Sequence, residues 1–100
     1  MPKTTDRTYH MLIVEDDPDI LMGLQEYFQL EEYEVETAED GEEALEKMKS
    51  MDACDVVLLD VMLPKKDGFE VLRESQEMGF SAPVLMITAR GEQESKLKGF

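Results

Sequence analysis

Four residues suited to metal or phosphate chemistry cluster just after short apolar runs. Glu15 and Asp16 follow Met11-Leu12-Ile13-Val14, Asp60 follows Val56-Val57-Leu58-Leu59, and Thr88 follows Val84-Leu85-Met86-Ile87. Short apolar runs of this kind read as buried strands. In an open sheet of parallel strands, ligands bind beyond the carboxyl ends, where the strand order reverses. If the first and third strands are neighbours, three carboxylates meet in one crevice. They repel one another unless a cation lies among them. Mg2+ suits a site offering one or two direct carboxylates, several waters and a phosphate oxygen. It would offset the charge of a transferring phosphoryl group and leave one carboxylate to act as nucleophile. The Thr88 hydroxyl could then donate a hydrogen bond to the product. Taken singly, these residues have blander readings as solvated loop acids, caps or strand ends, and Asp17 is assigned mainly to capping. Their coincidence at one end of the sheet is what points to chemistry.

The elements that must position them alternate along the chain. After the first strand, Asp17 and Pro18 read as the N-cap and first position of a helix. Its apolar stripe is Ile20, Leu21, Leu24, Tyr27 and Phe28, and it runs to about residue 31 or 32. Glu34-Val35-Glu36-Thr37-Ala38 alternates, as expected for a strand with one wet face at a sheet edge. Asp40 and Glu43 have the spacing of a capping box, ahead of a stripe of Ala44, Leu45, Met48 and Met51, with Glu43 and Lys47 as an i,i+4 pair. Beyond Asp60, a loop with Pro64 and Asp67-Gly68 as turn signals leads to a third helix with Phe69, Val71, Leu72 and Met78. The fourth strand and a polar helix around residues 92–98 follow. Strands alternating with helices imply α/β architecture, a parallel sheet with helices on both faces.

Composition bounds the functional classes. One hundred residues make one domain. The net charge of −14, from 24 acidic and 10 basic side chains, disfavours a nucleic-acid-binding surface, which needs clustered Lys and Arg, and an anionic membrane. No apolar stretch approaches the length of a membrane span, and residues 1–9 read as a loose polar tail without a signal peptide. A single cysteine, Cys54, excludes an internal disulfide or a cysteine-based zinc cluster. It fits a reducing, cytoplasmic setting and reads as a structural residue.

The stretches Met11 to Asp17 (MLIVEDD), Val56 to Pro64 (VVLLDVMLP), Asp67-Gly68 and Pro83 to Ala89 (PVLMITA) together resemble the response-regulator receiver domains, also called CheY-like domains. The resemblance runs from about residue 10 to 100. It implies a flavodoxin-like doubly wound parallel sheet with strand order 2-1-3-4 through the strands present. It implies a two-component signalling receiver that takes a phosphoryl group from a sensor histidine kinase or phosphotransfer protein, a substrate rather than a turnover enzyme. Carried over by position, Asp60 is the phosphoacceptor, Asp16 a direct Mg2+ ligand, Glu15 its partner through water, Met62 the donor of a main-chain carbonyl to the metal, and Thr88 the switch hydroxyl. Glu15 stands where the family more often has Asp.

Receiver domains continue into a fifth strand, carrying a Lys-Pro pair, and a fifth helix. This sequence stops at Phe100, and neither Lys96 nor Lys98 fits the missing lysine. An incomplete receiver domain is therefore expected over residues 10–100, with an open strand-4 edge, a pairing hazard. A homo-oligomer or strand-exchanged assembly could cover it. The alternative function is a non-signalling truncated receiver fragment that self-associates through that edge. A haloacid-dehalogenase-type phosphotransferase also places an Asp after an apolar strand, but it needs a second acid two residues on, where this chain has Met62.

Overall fold

The structure is a computed structural model and describes residues 8–87. The order of elements is β1 (His10–Val14), α1 (Pro18–Leu30), β2 (Glu34–Ala38), α2 (Gly41–Ser50), β3 (Val56–Asp60), α3 (Gly68–Glu77) and β4 (Val84–Ile87). The strands form one sheet in the order β2-β1-β3-β4, every pair parallel. This is the doubly wound architecture expected from the alternation. Thr88 and the polar segment at residues 92–98 lie outside the described residues.

Alternation of side chains along each strand divides the core in two. Leu12 and Val14 of β1 join Val57 and Leu59 of β3 on one face, where Ala44, Leu45 and Met48 of α2 and Val71 of α3 cover them. Met11 and Ile13 join Leu58 on the other face, beneath Leu21 of α1 with Leu24 and Phe28 beside it. β1 is central and buried on both faces, which is why it carries no alternation. β2, at the edge, leaves Glu34 and Glu36 exposed and turns Val35 and Thr37 inward.

α1 packs against β1 and β2. Among the described residues nothing comparable covers the same sheet face at β4. Leu85, which pairs with Leu58, is accordingly 55% exposed, while Ile87 is half-buried against the second cluster. Tyr27 and Phe69, read from the sequence as helix-stripe residues, are also exposed. Phe69 lies beside the buried Gly68 at the very start of α3, before the helix has turned its face to the sheet. The expected Val71 and the half-buried Leu72 do face inward on α3, joined by Ser75, whose hydroxyl donates to the Leu72 carbonyl at 2.8 Å, while Met78 is the exposed C-cap.

Each helix start is built as its cap residue requires. Asp17 Oδ1 accepts from the Asp19 and Ile20 amides, and Asp67 Oδ1 from the Glu70 amide. Asp40 Oδ1 accepts from the Glu43 amide at 2.8 Å. Glu43 reaches back one residue further than a capping box requires, accepting from the Glu39 amide at 2.9 Å. With Glu43 so engaged, the expected Glu43–Lys47 pair gives way to one between Lys47 and Glu36 on β2, at 3.2 Å. Cys54 is half-buried, its thiol directed at the Val56 carbonyl, and burial pushes its pKa up. That fits a structural cysteine, since the thiolate is the reactive form.

The Glu43 amide, assisted by Lys65, holds the Asp40 carboxyl below its ordinary pKa. A depressed carboxylate pKa contributes stability that is complete above the unfolded value and is lost as pH falls through the folded one. Asp40→Ala is expected to cost about 1 kcal/mol at neutral pH, with the difference from wild type shrinking below a pH of about 4. Urea denaturation of both proteins across that range checks it.

Candidate functional site

The register between β1 and β3 assembles the site. Val14 pairs with Leu59, so Glu15 and Asp60 leave the sheet side by side at its carboxyl end. Asp60 is the last residue of β3 and pairs with Ile87. Both Glu15 and Asp60 are fully buried, and Asp16 is half-buried. Oxygens of the three carboxylates lie within 4.8 Å of one another. The three acids picked out in the sequence are thus brought together. Met62 is close by, and Thr88 falls outside the described residues.

Backbone amides hold the buried carboxylates. Glu15 Oε2 accepts from the Asp17 amide at 2.9 Å, and Asp60 Oδ1 from the Met62 amide at 3.2 Å. Both bonds fold the chain tightly at a strand end, so each acid is oriented by the residue two positions on. On the solvent side, Asp16, Val61, Met62, Leu63, Asp67 and Phe69 line an open hollow of about 610 Å3. Its apolar walls come from exposed Met62 and Phe69. The hollow leaves Asp16 open to solvent at the edge of the cluster.

Gly68 is a turn signal and part of a matching stretch in the sequence, but what its missing side chain does for the site is visible only in the fold. In the structure it opens α3, and a Cβ there would stand 2.7 Å from the Asp60 carbonyl oxygen and 2.9 Å from Val61 Cα. Its amide donates to the Val61 carbonyl at 2.9 Å. The missing side chain lets α3 start directly against the backbone of the β3 end. The available signal was a glycine placed just inside a helix start, where its propensity is poor.

The lysines of the loop are engaged. Lys65 Nζ lies 3.5 Å from Asp40 Oδ2, and Lys66 Nζ 3.0 Å from Glu74 Oε2. The bond from Lys66 to Glu74 raises the lysine's pKa.

A hard-oxygen donor set with two buried carboxylates and a third at the rim fits Mg2+, which prefers few direct carboxylates and retained waters. The sequence model of the response regulator receiver domain matches residues 11–100. The chain belongs to that family. The alkaline phosphatase synthesis transcriptional regulatory protein PhoP of Bacillus subtilis is 42% identical over 89 residues, which are 89% of this chain and 37% of PhoP. Among solved structures, the CheX-CheY-BeF3-Mg complex of Borrelia burgdorferi contains a similar chain, with a TM-score of 0.77 and 38% identity over 88% of this chain and 68% of that one. The receiver domain of the sensor histidine kinase PA1611 of Pseudomonas aeruginosa has a TM-score of 0.79 and 25% identity, covering 91% of this chain and 75% of its own. That receiver domain has a magnesium ion coordinated in its active-site cleft.

This receiver domain spans under two fifths of the length of PhoP. The charge argument against nucleic acid therefore reaches no further than the matched segment. Receiver domains bind Mg2+ at an acidic pocket, and here the acidic cluster is Glu15, Asp16 and Asp60. Among the described residues, no helix is long and apolar enough to cross a membrane.

Crowding three carboxylates makes the metal-free site electrostatically unfavourable. At separations within 4.8 Å and an effective dielectric between those of protein surface and water, one such repulsion is worth about 1–4 kcal/mol. Asp16→Asn is therefore expected to raise the urea midpoint in EDTA, and Mg2+ to stabilise the wild type more than the variant. A lower midpoint for the variant in EDTA would mean that the carboxylates are not in conflict.

Proposed function

We propose that this receiver domain accepts a phosphoryl group onto Asp60 from a sensor histidine kinase or a phosphotransfer protein, with Mg2+ as the required cation. The observation that carries the reading is the meeting of Glu15, Asp16 and Asp60 at one strand end of a chain that belongs to the receiver family. The magnesium in the PA1611 receiver domain and the BeF3-Mg complex of the Borrelia CheY support it by analogy.

In this reading Asp16, Asp60 and the Met62 carbonyl would hold the ion directly, with Glu15 acting through water. When bound, Mg2+ would offset the negative charge gathered as the phosphoryl group approaches the carboxylates. The chain's own residues do the rest. The Met62 amide fixes the rotation of the Asp60 carboxylate by holding Oδ1. Burial of Asp60 restricts water around the acyl phosphate. A carboxylate oxygen of Asp60 forms the new O–P bond as the N–P bond of a phosphohistidine breaks. The electron pair of that bond stays on the imidazole nitrogen; the ring leaves neutral when its other nitrogen carries a proton, and otherwise takes one proton from solvent. Thr88 is assigned the hydrogen bond to a phosphoryl oxygen. The receiver domain is consumed as a substrate and turns over only when its acyl phosphate is hydrolysed.

The test is intact mass after incubation with acetyl phosphate, with and without Mg2+, beside Asp60→Asn. The expected result is one added phosphoryl group in the wild type with Mg2+ and none in either control. Labelling that persists in Asp60→Asn would remove Asp60 from its assigned role.

A further inference from the structure

We propose that Gly41, the first residue of α2, is a positioning residue that seats the β3–α3 loop and thereby sets the preference of the carboxylate cluster for Mg2+ over larger cations; this rests on the proposed metal-binding role of the cluster and of the Met62 carbonyl. A Cβ at position 41 would stand 2.6 Å from both Lys66 Cβ and the Lys66 carbonyl oxygen, and 2.8 Å from Val71 Cγ2. None of these is the free end of a flexible side chain. Val71, on α3, is fully buried in the core it shares with α2, so it has nowhere to retreat. A side chain at position 41 would have to push the Lys66 backbone.

The loop that would be pushed is short and held at both ends. It leaves the site at Asp60, carries Met62, and re-enters the fold where the Gly68 amide donates to the Val61 carbonyl. Within it, the Lys66 amide donates to the Pro64 carbonyl at 2.7 Å, which couples the displaced residue to the part of the loop nearer Met62. The neighbour of Gly41 adds a second fastening, since Asp40 pairs with Lys65. Lys65 sits at φ 68°, a left-handed conformation that the loop maintains despite its side chain. The N-terminus of α2 thus meets the loop through a close backbone approach and an ion pair.

Metal selectivity is the property that such a seat would control. Mg2+ requires near-octahedral oxygens at short distances, whereas Ca2+ accepts longer and more variable ones. A loop displaced far enough to relieve the 2.6 Å contacts would therefore weaken Mg2+ binding more than Ca2+ binding. General destabilisation of the fold would not separate the two ions.

The experiment is calorimetric titration with Mg2+ alone and with Ca2+ alone, on the wild type, Gly41→Ala, Lys65→Gln and Gly23→Ala. Gly23 has no atom within 4 Å of a would-be Cβ and serves as the control for glycine replacement in a helix. Gly41→Ala is expected to weaken Mg2+ about fivefold or more and Ca2+ less than about twofold, in line with the stricter geometry of Mg2+. Lys65→Gln, which keeps the backbone demand and removes the ion pair, should shift the ratio in the same direction by about twofold at low salt. Gly23→Ala should leave it unchanged.

A folded Gly41→Ala with the wild-type ratio overturns the proposal. If Gly41→Ala does not fold, an unchanged ratio in Lys65→Gln overturns it. A wild type that binds neither ion would overturn the metal-binding reading itself, and this inference with it, and so differs from failure at Gly41 alone.

Discussion

The register of β1 against β3 is the constraint on which the rest depends. Pairing of Val14 with Leu59 places Glu15 and Asp60 beside each other, and the same pairing aligns Leu12 with Val57 and Ile13 with Leu58 for the two cores. A slip of one residue would turn each strand's side chains to the opposite face and separate the acids. Hydrophobic packing and the acidic site are therefore specified together. The apolar contacts above and below β1 and β3 hold in place a cluster of like charges that would otherwise disperse. The site itself contributes repulsion, so the stability that keeps it assembled has to come from the core.

Much of the fold was legible because the signals came from residues with few alternatives. The apolar runs of β1 and β3, the alternation of β2, and the caps Asp17 and Asp40 each have one local reading that agrees with the tertiary structure. The convergence of Glu15, Asp16 and Asp60 was legible too, once the alternation implied parallel strands. Less was visible where a side chain chooses between partners. Glu43 and Lys47 are spaced for a helix pair, yet Glu43 serves the Glu39 amide and Lys47 pairs with Glu36. Spacing along one helix carries no information about an acid on a neighbouring strand.

Exposure of apolar residues was also hard to read. Phe69 and Tyr27 have core-like identities, but their direction is set by where each helix starts and how it lies on the sheet. The roles of Gly68 and Gly41 were hidden for a related reason. Each glycine admits a backbone segment that is remote in sequence or separated by a loop, and a missing side chain leaves no pattern that would show which segment it admits. Only the fold brings Lys66 into the space at Gly41 and the Asp60–Val61 backbone into that at Gly68.

Asp17 links the site to α1 in a way that goes beyond capping. Its amide donates to the Glu15 carboxylate, while its own carboxylate receives the first free amides of the helix. These three hydrogen bonds, all made through Asp17, couple α1 to one wall of the acidic cluster, with Pro18 stiffening the junction between them. The start of α1 and the Glu15 carboxylate thus share one anchor, so that the position of the helix start and the orientation of that carboxylate are fixed by the same residue.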